Sequence, residues 1–166
     1  MSVSRESRRL LWVSVGVALV GALVLLPLAW LATRMYQEAG QRRVAAANEA
    51  AAIAALESIS AAEHLYFQSK GEYGTFPQLV ESGFFQAPLT GEGLVASGYA
   101  FTLRVTPRSA ERAPFYSVNA DPLKSGGRDA TGRRHFYIDS DITGMRYNEE
   151  RPAGPSDKAR QTVQQP

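Results

Sequence analysis

From Leu10 to Ala32 the chain runs for 23 residues without a charged side chain. A helix packed into an ordinary domain core shows a polar face, and this run shows none. At about 1.5 Å per residue it would extend roughly 34 Å, enough to cross a hydrocarbon layer of about 30 Å. The run therefore predicts a transmembrane helix over 10–32. Pro27 is its expected kink, because proline removes a backbone donor and presses on the carbonyl four residues back. Residues 1–9 read as a cytoplasmic basic leader with Arg5, Arg8 and Arg9. The run ends Ala29-Trp30-Leu31-Ala32, where a cleavage site would want small residues, so a retained signal anchor is expected. A short leader before a long polar remainder places the N-terminus in the cytoplasm and the remainder outside it. The lipid bilayer is then the first expected partner.

The helical pattern does not stop at the end of the apolar run. Residues 33–68 contain no proline and a single glycine, Gly40, and ten of the eighteen residues from Ala45 to Ala62 are alanine, the best helix former. The large apolar side chains Ile53, Leu56, Ile59, Tyr66 and Phe67 fall at spacings of three and four and gather on one face. Glu57, Ala50, Ala54 and Ala61 lie opposite. This second half is expected to be an extracytoplasmic continuation of the helix whose apolar stripe needs a sheet to cover it.

Residues 69–149 supply that sheet. Lys70–Gly74 breaks the helix, Phe76–Phe85 reads as one short helical turn, and Pro88–Gly98 as a loop. Tyr99–Thr106 alternates, with Tyr99, Phe101, Leu103 and Val105 on one face, the pattern of a half-buried strand. Phe115–Ala120, Arg134–Asp139 and a short return at Met145–Tyr147 continue a meander. The fold class predicted is α+β: a long N-terminal helix, transmembrane half plus amphipathic half, packed on a three- to four-stranded antiparallel sheet. Residues 150–166, rich in Pro, Gly, Gln and charge, read as a disordered tail.

Charge and chemistry narrow the function. The first 43 residues hold six arginines against two glutamates, so the remaining residues carry twelve basic and fourteen acidic side chains. The basic excess flanks the apolar run, and the folded part lacks the basic stripe that nucleic acid requires. With no cysteine there is no disulfide framework or thiol nucleophile. Two histidines, His64 on the helix and His135 on the outer face of a strand, have no ligand or serine partner at a telling spacing. Asp139 and Asp141 open a turn closed by Gly144 and are the weak metal candidates; a third acid and a distant bidentate glutamate are missing. The expectation is a non-enzyme without cofactor, metal or small-molecule substrate.

The stretch Ala46–Tyr66, with its Asn48-Glu49 pair, resembles the post-membrane helix of bacterial type IV pilins and type II secretion pseudopilins. Tyr116–Pro122, Gly132–Asp139 and Gly144–Tyr147 are similar to the terminal strands of the same family. The resemblance implies a pilin-like fold, a bacterial inner-membrane location with a single pass and a periplasmic domain, and contact with pilin or secretion-system subunits. The family's processing glycine and assembly glutamate have no counterpart, since residues 4–10 contain no glycine and residues 10–32 no glutamate. A protein that keeps its leader and docks beside pilins is the consequence expected. The alternative is a single-pass membrane-tethered binding or sensing domain that does not polymerise.

Overall fold

The computed structural model describes residues 5–91 and 93–160, with the backbone course alone for residues 5–22 and Val24. Helix α1 (Arg5–Lys70) continues through Pro27 without ending there. It contributes to two compact units, Met1–Gly40 and Gln41–Pro166. In the first unit Leu23, Leu25, Leu26, Leu28 and Trp30 are exposed, and the Arg34 guanidinium lies 4.8 Å from the Trp30 ring centre.

Among the described residues no helix is long and apolar enough to cross a membrane. This overturns the transmembrane helix expected at 10–32, the signal anchor, and the single-pass inner-membrane location built on them. The apolar stretch whose side chains are described is short: Arg34, Glu38, Arg42 and Arg43 follow it closely, whereas a span needs about 20 residues. Most of the expected span, like the first four residues of the basic leader, lies outside the described side chains.

The second unit is α+β. Its helical part is followed by α2 (Phe76–Glu81) and seven strands: β1 (Leu89–Thr90), β2 (Gly93–Ala96), β3 (Tyr99–Thr106), β4 (Phe115–Pro122), β5 (His135–Asp139), β6 (Arg146–Asn148) and β7 (Lys158–Ala159). They form one antiparallel sheet in chain order, each strand pairing with its sequence neighbour. Among the described residues the sheet is thus seven-stranded, not three- to four-stranded. β1 and β2 occupy the segment read as a loop, and β7 lies in the segment read as a disordered tail. Strands of two to four residues are too short to carry an alternating signal. Between β2 and β3 the chain turns on Ser97 and Gly98, both at positive φ (49° and 73°), the two-residue hairpin geometry that matches strand twist.

Helix and sheet meet over one apolar face. Ala52, Ile53, Leu56, Ile59 and Ala62 are buried against Tyr116, Val118, Ala120, Phe136 and Ile138. Ala50, Ala54, Glu57 and Ala61 are exposed, as their position opposite the stripe requires. Tyr66 and Phe67 are half-buried: Tyr66 meets Phe84 edge-on, and Phe67 stacks on Tyr73 at 4.9 Å. In the register, Val118 pairs with Ile138 and Ala120 with Phe136, so four apolar side chains share the inner face.

The other face of β4 and β5 is buried as well, and it is polar. Ser117, Asn119, His135 and Asp139 are each less than a tenth exposed. The Asn119 side-chain amide donates to the Ala153 carbonyl at 2.7 Å, and Ala153 is itself buried. Residues 149–157 therefore lie across the back of the sheet before β7 returns to its edge. Arg151 and Asn148 both donate to Asp157, which closes this segment on itself. Residues 150–160 are ordered by such polar contacts, so the tail assignment fails for them; residues 161–166 lie outside the described residues. His135, expected on an exposed face, is buried and pairs through Nδ1 with the Asp121 carboxylate at 2.6 Å.

Candidate functional site

Two acids sit inside the apolar stripe of α1. Glu49 lies four residues before Ile53, and Glu63 four residues after Ile59, so helical periodicity turns both toward the sheet. Both are buried, at 6 % and 0 % exposure. A buried carboxylate is costly unless hydrogen-bonded, so the partners of each decide what it does.

Glu49 is fully engaged. Its Oε1 accepts the backbone N–H groups of Arg133 (2.8 Å) and Arg134 (3.3 Å), while its Oε2 accepts Nε (2.8 Å) and Nη2 (2.6 Å) of Arg134. One residue earlier, the Asn48 amide donates to the Thr131 carbonyl at 2.9 Å. The far side of the loop is fixed by Tyr99, whose hydroxyl donates to the Arg134 carbonyl at 2.8 Å. Gly132 permits this approach, since a Cβ there would overlap the Tyr99 hydroxyl. The guanidinium of Arg134 also lies near the rings of Phe136 (5.6 Å) and Tyr147 (5.7 Å). Together these contacts form a clamp joining the helix to the loop before β5. With two guanidinium N–H groups on one carboxylate oxygen and two backbone N–H groups on the other, it fixes where along the sheet the helix sits.

Glu63 is only half engaged. Its Oε2 accepts the Gly74 N–H at 2.9 Å, and its Oε1 has no partner among the described residues. Burial pushes its pKa up from 4.5 to about 7, opposed by the Gly74 hydrogen bond.

Beside the clamp opens a groove of about 770 Å³. Its helix wall is Ala46 and Ala50, and its sheet wall Arg134, Tyr147, Lys158 and Arg160. The small alanines leave the space, and the basic side chains give the groove its sign.

The weak metal candidates are committed elsewhere. Asp139 Oδ1 accepts the N–H groups of Asp141 and Ile142, and Oδ2 accepts the Tyr137 hydroxyl. Asp141 accepts the Ser140 hydroxyl. Among the described residues no group of three or more His, Cys, Asp or Glu side chains is placed to hold a metal ion. The acids two apart make a turn lock. His64 pairs with Gln68 on the exposed side of α1.

Comparison with known proteins finds no matching family model, no matching curated protein and no matching solved structure. The resemblance to pilins and pseudopilins rests on the residues quoted above. Of those, Asn48, Glu49 and Arg134 are brought together, and Ile53, Leu56 and Ile59 form the face beside them. Sequence reasoning missed the roles of Arg134, Glu63 and the 149–160 segment. For the two glutamates the signal was present, since each recurs four residues from a core isoleucine.

Proposed function

We propose that this chain is a structural protein acting by protein–protein contact, a pilin-like subunit or accessory of a type IV pilus or type II secretion-type machine. The clamp carries the reading. A buried carboxylate with four donors spends most of its polar capacity on fixing the helix against the sheet. Such rigidity suits a surface that must present one fixed shape to a neighbour. The face turned away from the sheet then offers Ala47, Ala54 and Ala61, all exposed, which permit close approach of another helix. The polar order of helix stripe, Asn48-Glu49 pair and terminal strands supports the same family reading.

The test is cross-linking of the full chain in its own cells, followed by affinity purification and quantitative mass spectrometry. Pilus or secretion subunits should be enriched at least fivefold over an Ala54→Arg, Ala61→Arg variant, whose changes lie on the exposed face. Equal recovery from both proteins, or no enrichment of such subunits, would remove the proposal.

A further inference from the structure

We propose that the groove beside β7 receives an extended, acidic segment of a partner protein, which adds to the sheet as a further strand. This rests on the reading that the chain works through protein contact, and it names the chemistry of one such contact.

The backbone comes first. Among the described residues β7 is the last strand of the sheet and pairs only with β6. Arg160 N–H donates to the Met145 carbonyl at 2.8 Å, so the 160/145 pair is a hydrogen-bonded one. In an antiparallel ladder such pairs alternate, which makes Lys158/Tyr147 hydrogen-bonded and turns the N–H and C=O of Ala159 outward. An outward donor and acceptor on an edge strand are a template for another strand.

The walls come next. Ala46 and Ala50 are exposed on α1 and leave about 770 Å³ beside the edge, room for several residues of extended chain. The sign of the charge then selects the occupant. The groove is lined by Arg134, Lys158 and Arg160 against one carboxylate, Glu49, whose oxygens are already taken by Arg133 and Arg134. Lys158 has no ion-pair partner among the described residues, and the carboxylate nearest Arg160, that of Glu57, is 3.9 Å away. Lys158 and Arg160 stand two apart on a strand and so share a face. A partner strand with carboxylates at alternate positions would meet both. A lysine on an edge can also act only as a guard against pairing, and that reading predicts the opposite result below.

The experiment measures fluorescence polarisation of labelled octapeptides with the full chain at low and moderate salt. One probe alternates Glu and Thr, a second alternates Lys and Thr, and a third is the Glu/Thr peptide with alternate backbone amides methylated. The Glu/Thr probe should bind at least tenfold more tightly than the other two. Its binding should weaken with added salt and fall at least tenfold in a Lys158→Glu, Arg160→Glu variant. Ala159→Pro should weaken it similarly, because it removes an outward N–H that the β6–β7 pairing does not use. No binding of the Glu/Thr probe, equal binding of the Lys/Thr probe, or binding indifferent to the charge reversal would overturn the proposal. Equal binding of the methylated probe would overturn strand addition. Ala54 and Ala61 do not line the groove, so loss of subunit capture with peptide binding intact would fault the machine assignment and not the groove.

Discussion

The two buried glutamates of α1 start from the same position in the helical repeat and end in opposite electrostatic situations. Glu49 faces a loop that delivers an arginine and two backbone donors. Glu63 faces the turn after the helix, which delivers one N–H and then closes over it with Tyr66 and Leu79 packed around Gly74. The first carboxylate is a fastener; the second is a charge the fold accommodates poorly, and its raised pKa records the difference. Burial depth alone would rank them alike. Partner count separates them.

An unpartnered acid placed between the two should have the largest effect of all. Leu56→Asp puts a carboxylate at the fully buried centre of the stripe, with no donor supplied for it. It should cost about 3–5 kcal/mol, measured by urea unfolding, a large share of what a small domain has. Glu49→Ala should come next, at about 3 kcal/mol, because it leaves two backbone donors and a half-exposed arginine without their acceptor. A loss below about 1 kcal/mol would mean that the clamp is decorative.

Glu63 gives a pH signature instead. Its pKa is higher folded than unfolded, so the native state holds a proton that the unfolded chain has already released. Stability from this group is fully present below about pH 4.5 and is lost as pH rises toward 7, by on the order of 3 kcal/mol. Glu63→Gln should remove that part of the slope and leave the variant the more stable protein above neutrality. Parallel pH profiles for the two proteins would show that the carboxyl is not perturbed. Glu57→Ala supplies the lower bound. Its side chain is 68 % exposed and 3.9 Å from Arg160, so the change should stay under about 0.5 kcal/mol.

What was legible in the sequence divides along the same physical line. Periodic apolar patterns reported faithfully on the helix stripe and on β3, because burial against a partner surface is what periodicity encodes. The shortest strands lack that pattern. β1, β2 and β7 exist because a neighbouring strand offers hydrogen bonds, and nothing in Leu89-Thr90 or Lys158-Ala159 announces it. The segment after Glu149 misled for a related reason. Its polarity reads as disorder when counted, yet Asn148, Arg151, Asn119 and Asp157 spend that polarity on one another and on the sheet. The uncharged run at 10–32 misled in the other direction, since composition alone supplied the membrane reading that the described helix does not support. For the clamp, the Asn48-Glu49 pair was visible, but its partner lies 85 residues away and no local rule points there.

That separation also bears on how the domain is assembled in time. Every strand pairs with its immediate successor, so the meander can zip from turn to turn with little loop entropy at each step. The bond between Glu49 and Arg134 closes a loop of 85 residues and gains from a sheet already in place. It is expected to form on the late side of the folding barrier. Removing it should leave the refolding rate nearly unchanged and show itself as faster unfolding in stopped-flow experiments. The clamp would then govern the lifetime of the native state more than the speed of reaching it.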